Sequence, residues 1–117
     1  MSIDKFLDRQ YNANTYNCAH FVCEVWAHLT SKSIEEFMYG FLLPVKDRFA
    51  EPSIRRNFKR LQKPVHLCIV LMRRPKTTPH VGIYYKNKVL QIERGGVSLL
   101  PLDVATLGFT KVSFYKC

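Results

Sequence analysis

A chain of 117 residues, 47% of them apolar, holds material for one hydrophobic core; two cores would each be too small to bury enough surface, so residues 1–117 read as a single domain. The same apolar share excludes a wholly disordered chain, and apolar runs such as Leu67 to Met72 are far too short to cross a bilayer. The 18 basic residues against 9 acidic ones give a net charge of +9, which implies an anionic partner (nucleic acid, an anionic cell wall or an acidic protein surface) without choosing among them.

The opening MSIDKFLDRQ mixes charged and apolar residues and has no apolar signal-peptide core, so folding in a cytoplasm is expected. Residues 3–9 read as a short helix, followed by a polar loop from Gln10 to Asn17. From Cys18 to Leu29, the residues Phe21, Val22, Val25, Trp26 and Leu29 share one side of a 3.6-residue period and predict an amphipathic helix. Thr15 or Asn17 can cap its start, and His28 stands near its end. Ile34 to Leu43 reads as helical until Gly40 and Pro44 intervene, and Ser53 to Leu61 reads as a second, basic helix capped by Ser53.

From Pro64 the pattern changes to short β-rich runs: Val65–Met72, Val81–Tyr85 and Val89–Glu93. Lys86-Asn87-Lys88 predicts a hairpin turn between the last two. Gly95-Gly96 makes another turn before Val97–Leu100, and Lys111–Tyr115 reads as the final strand. Helices first and antiparallel strands afterwards define an α+β domain.

Four cysteines stand at 18, 23, 68 and 117. None forms a CxxC pair and no His or Cys pairs have zinc-ligand spacing, so no metal or other cofactor is expected and the thiols read as reduced. Cys18 differs from the others because it opens a helix, where unpaired N–H groups and the positive dipole end favour a thiolate. Those N–H groups are also candidate donors to an oxyanion. A thiol nucleophile needs a base. His80 follows Pro79 and opens Val81–Tyr85, so it is held at a strand edge from which it can face a helix N-terminus. Taken singly, Cys18 reads as a small buried hydrophobe and His80 as a surface imidazole; together they read as nucleophile and base.

Tyr16-Asn17-Cys18-Ala19-His20-Phe21-Val22 resembles the nucleophile segment of the NlpC-type cell-wall cysteine peptidases, a papain-like family in which an Asp-Cys-Ser-Gly-Phe-Val type segment opens a helix. Pro79-His80-Val81-Gly82-Ile83-Tyr84 is similar to that family's His-Val-Gly-Ile-Tyr strand. The resemblance covers most of residues 11–100, leaves the middle helical stretch unmatched, and is nearest to compact versions encoded in phage tail modules. It implies a papain-like fold, with N-terminal helices carrying the nucleophile Cys at a helix start and packed on an antiparallel sheet. It also implies Cys18 as nucleophile, His80 as base and Gln91 as the polar residue that orients the ring. In that family a Tyr upstream of the Cys shapes the oxyanion site, and Tyr11 and Tyr16 both compete for this role. Asn17 replaces the usual Asp and Ala19-His20 the usual Ser-Gly, which makes Asn17 and His20 candidate oxyanion or substrate residues, His20 being either structural or substrate-side. His66 and Cys68 read as strand residues rather than catalytic ones.

The implied activity is cleavage of peptidoglycan stem peptides through a thioester, with phage tail proteins as possible partners in a virion after synthesis in a bacterial cytoplasm. Two other readings compete. One keeps the fold for an acyltransferase or deacylase, with an acyl-chain cleft at Phe37, Met38, Phe41 and Leu42. The other is a non-catalytic binding or inhibitor module using the basic stretch Phe49 to Lys63. No nucleic-acid-binding signature accompanies the charge, which weighs against a nucleic-acid partner.

Overall fold

The computed structural model describes residues 3–38, 54, 57–75, 77 and 79–117. Among the described residues the longest helix, α1 (Cys18–Thr30), begins where it does because of Asn17. The Asn17 side-chain oxygen accepts from the N–H of Ala19 at 2.9 Å and of His20 at 3.3 Å. His20 completes a capping box, its Nδ1 accepting from the Asn17 N–H at 3.1 Å. At the other end Ser31 takes a left-handed conformation (φ 62°) and its N–H closes onto the Ala27 carbonyl at 2.8 Å. Phe21, Val22, Val25 and Trp26 are buried, so the expected amphipathic helix is present, and Asn17 rather than Thr15 is its cap. The expected helix at 3–9 is a 3-10 turn, Asp4–Phe6, which seats a fully buried Phe6 edge-on against Phe21 and His28.

Six strands form one antiparallel sheet: β1 (Lys59–Leu61), β2 (Ile69–Arg73), β3 (His80–Tyr85), β4 (Lys88–Glu93), β5 (Gly96–Pro101) and β6 (Lys111–Lys116). Their order is β1-β6-β2-β3-β4-β5. Strands β3 to β5 form a meander. Lys86 and Asn87, both at positive φ (47° and 67°), make the two-residue hairpin loop that joins Tyr85 to Lys88. Arg94 and Gly95 form the next loop, and Gly96, at φ 115°, pairs with Glu93. The chain thus has an α+β fold, and among the described residues no helix is long and apolar enough to cross a membrane.

Apolar side chains pack on both faces of the sheet. Phe21, Val22 and Val25 of α1 cluster with Ile69, Leu71, Val81, Ile83, Leu90 and Ile92. Each fully buried side chain of this size contributes about 1.5–3 kcal/mol relative to exposure. On the other face Val70, Met72 and Val89 pack with Ala105 of a four-residue helix, α2 (Leu102–Ala105), which the sequence pattern did not reveal.

Three expectations are corrected. Lys59–Leu61, read as the end of a basic helix, is an edge strand, because β6 offers a pairing partner at Lys116, Tyr115 and Phe114. Just before it, the Phe58 N–H donates to the Ile54 carbonyl at 3.0 Å. Residues 65–68 form a turn rather than the start of a strand: Leu67 sits at φ 68° and its carbonyl accepts from the Trp26 indole at 3.1 Å, so β2 begins only at Ile69. His66 is therefore an exposed turn residue and Cys68 a buried residue just before β2. Of the helix expected at Ile34–Leu43, the described part is a 3-10 turn, Glu35–Phe37. Positions 39–43, like Ser53 and most of the stretch Phe49 to Lys63 before Asn57, lie outside the described residues.

Candidate active site

Strand alternation sets out the sheet side of the site. In β3, Val81 and Ile83 pack toward α1, so His80 and Gly82 fall on the opposite side. In β4, Leu90 and Ile92 pack toward α1 and Val89 packs in the second cluster, so Gln91 shares the side of His80. Gln91 is 1% exposed, and a buried amide needs partners. It finds one across the strand pair, with His80 Nε2 and Gln91 Oε1 2.8 Å apart.

Gly82 permits this approach. A Cβ at position 82 would come within 2.8 Å of Val89 Cγ1, 3.2 Å of the Leu90 carbonyl oxygen and 3.4 Å of Gln91 Cβ. No larger residue fits without moving β4.

Cys18, the first residue of α1, is 1% exposed. It meets His80 at the end of the sheet, where the His80 ring hydrogen-bonds its thiol. Burial of the ring opposes its charge, but the hydrogen bond and charge of Cys18, then Gln91 and the Glu93 carboxylate, outweigh it and hold His80 above the ordinary histidine value. The thiolate and imidazolium favour each other by the same interaction. An amide oxygen only accepts, so Gln91 requires the proton on Nε2 and leaves Nδ1 for the sulfur.

A cleft of about 380 Å³ opens over this pair. Tyr11, Arg74, Thr77, Glu93, Arg94 and Phe109 contribute to its walls along with Cys18 and His80. The sequence candidates therefore divide. Cys18, His80 and Gln91 come together, and Tyr11 lines the cleft. Tyr16 does not: its hydroxyl donates to Glu24 at 2.7 Å and its ring stacks on His20. Burial first, then the Glu24 carboxylate, raises the Tyr16 hydroxyl well above the usual phenol range. Asn17 and His20 serve the helix cap rather than the cleft, and burial lowers the pKa of His20. The first-turn N–H groups of Ala19, His20 and Phe21 are all engaged by Asn17.

The remaining cysteines lie away from the cleft walls. Burial pushes the Cys23 and Cys117 thiols up to about 12 and raises Cys68 as well, although the Cys117 residue is exposed. Among the described residues no three His, Cys, Asp or Glu side chains gather as metal ligands. What the site offers is a thiol, an imidazole and an orienting amide, a set able to form and hydrolyse a covalent acyl intermediate.

Two residues at the site had no sequence cue. Phe109 stacks on His80, with ring centroids 5.9 Å apart and planes at 11°, and the Arg74 guanidinium lies 4.0 Å over Phe109. Thr106-Leu107-Gly108-Phe109-Thr110 stands between the runs read as strands and carries no motif. Phe109 reaches His80 because β6 pairs with β2, next to β3.

No protein-family model matches this chain, and no curated protein matches it.

Proposed function

We propose that this chain is a papain-like cysteine hydrolase of the NlpC type that cleaves amide bonds in peptidoglycan stem peptides. The observation that carries the reading is the hydrogen-bonded chain Cys18–His80–Gln91 at a helix N-terminus facing a cleft. His80 Nδ1 takes the proton from the Cys18 thiol, and the thiolate forms a C–S bond to the substrate carbonyl carbon. The tetrahedral intermediate collapses as the imidazolium gives its proton to the leaving nitrogen and the C–N bond breaks, leaving a thioester. Water then attacks the thioester carbonyl, passing its proton to Nδ1. The C–S bond breaks, the carboxylic acid product leaves, and the sulfur recovers its proton. Gln91 is neutral and contributes orientation rather than charge.

A peptide substrate is favoured over an acyl chain. Met38, offered for an acyl cleft, is fully buried in the core, and the walls near Cys18 include Arg74, Thr77, Glu93 and Arg94. The net charge of +9 suits an anionic wall. Association with a phage tail follows from the resemblance alone.

Digestion of purified peptidoglycan, with fragments identified by mass, tests the proposal. Wild type is expected to release stem-peptide fragments that Cys18→Ala does not. Equal release by both proteins, or by neither while both are folded, would remove the hydrolase reading.

A further inference from the structure

We infer that Phe109 is a positioning residue for His80, setting the plane of the imidazole, and that Arg74 holds Phe109 in place. The inference rests on reading Cys18 and His80 as nucleophile and base. The hydrogen bonds of the ring to Gln91 and to Cys18 both lie in the imidazole plane and give little resistance to tilting out of it. A nearly parallel aromatic ring removes this freedom, and Phe109 lies at 11° to the imidazole with centroids 5.9 Å apart. The tilt matters because proton transfer from Cys18 needs the Nδ1 lone pair aimed at the sulfur.

Phe109 is itself anchored. The next residue, Thr110, donates its N–H to the Arg73 carbonyl at 2.8 Å and its hydroxyl to the same oxygen at 3.2 Å, tying the segment to the end of β2. Arg74 adds two contacts: its guanidinium lies 4.0 Å over the Phe109 ring, and its Nε donates to the Gly108 carbonyl at 3.2 Å. Gly108 sits at φ 84°, a conformation that disfavours any side chain at this position. Phe109 is half-buried beside the second apolar cluster, so packing alone would also account for an apolar residue here. Packing does not require a flat ring parallel to the imidazole, which gives the test its leverage.

The test follows iodoacetamide alkylation of Cys18 across pH in the full chain, resolved by peptide mass, with Cys18 of His80→Ala as the reference for a thiol without its base. Phe109→Leu keeps apolar volume and removes the ring; Phe109→Tyr keeps the ring. Phe109→Leu is expected to slow Cys18 about tenfold near neutral pH and move its pH profile toward that of an ordinary thiol, while Phe109→Tyr stays within about twofold of wild type. Arg74→Gln, at an exposed position where folding is not at stake, is expected to slow Cys18 about threefold. An unmoved Cys18 profile in folded Phe109→Leu overturns the inference, as does equal slowing by Phe109→Leu and Phe109→Tyr. Should Phe109→Leu fail to fold, Arg74→Gln decides, and a wild-type profile there overturns it. Wild-type Cys18 reacting no faster than Cys18 of His80→Ala would overturn both this inference and the nucleophile–base reading beneath it; a fast Cys18 unaffected by Phe109→Leu would overturn this inference alone.

Discussion

His80 and Gln91 lie on neighbouring strands with Nε2 and Oε1 2.8 Å apart, and with Nε2 so engaged Nδ1 is the ring nitrogen left for Cys18. Removing the amide should therefore disturb the tautomer and the ring's orientation together. Gln91→Ala is expected to slow Cys18 alkylation and amide hydrolysis by about 10- to 100-fold. Gln91→Glu would place a carboxylate on Nε2, stabilise the imidazolium and push the His80 pKa higher still. Imidazole NMR titration of both variants checks the order; a His80 midpoint that is the same in wild type, Gln91→Ala and Gln91→Glu would contradict the role given to Gln91.

The raised pKa of His80 has a definite sign in pH experiments. Its ring stays protonated above the ordinary value of 6.5, so the alkaline limb of a hydrolysis profile is expected to have its midpoint above 6.5. A group whose folded pKa is raised stabilises the fold fully below its unfolded value and loses that contribution as pH rises through the folded one. The difference in Tm between wild type and His80→Ala should therefore be largest below pH 6.5 and shrink on the alkaline side. A difference that grows with pH would reverse the assignment.

Gly82→Ala tests the close approach of β3 and β4. The new Cβ would meet Val89 Cγ1 at 2.8 Å and the Leu90 carbonyl oxygen at 3.2 Å, and backbone cannot swing aside as a side chain can. Overpacking of this kind costs about 1–3 kcal/mol, measurable by denaturant unfolding. Because Gln91 Cβ lies 3.4 Å from the same point, Cys18 reactivity should fall along with stability. An Ala variant of wild-type stability and reactivity would show that the two strands have room to spare.

Glu24 joins the N-terminal segment to α1, accepting from Arg9 Nε at 2.8 Å and the Tyr16 hydroxyl at 2.7 Å. Burial works against its charge, but the Arg9 and Tyr16 hydrogen bonds prevail and hold its carboxyl below the ordinary value of 4.5. A depressed folded pKa gives stability that is present above pH 4.5 and lost as pH falls through the folded value. Glu24→Gln is expected to lower Tm by about 2–4 °C at pH 7, with the gap from wild type closing in acid. Thermal melts at pH 7 and below pH 4 check this. A gap that widens in acid would count against the Glu24 assignment.

Much of α1 and of strands β3, β4 and β6 was legible in the sequence because each rests on local rules. Phe21, Val22, Val25 and Trp26 recur at helical spacing, Asn17 is a cap within reach of the N–H groups it binds, and Lys86-Asn87 is a tight turn between alternating runs. Cys18 and His80 were legible as a thiol at a helix start and an imidazole at a strand edge, whereas Gln91 was pointed to by the resemblance to the NlpC-type strand alone. Lys59–Leu61 misled because its helical local preference yields to pairing with β6, a partner more than fifty residues away. Tyr16 and His20 were plausible cleft residues until Glu24 and the capping box claimed them. Phe109 and Arg74 left no trace in the pattern: the stack on His80 exists only once β6 lies beside β2 and β2 beside β3. Periodicity and capping act over a few residues and can be read along the chain, whereas strand order and the meeting of side chains at a sheet's end arise from contacts between distant segments, which only the folded arrangement determines.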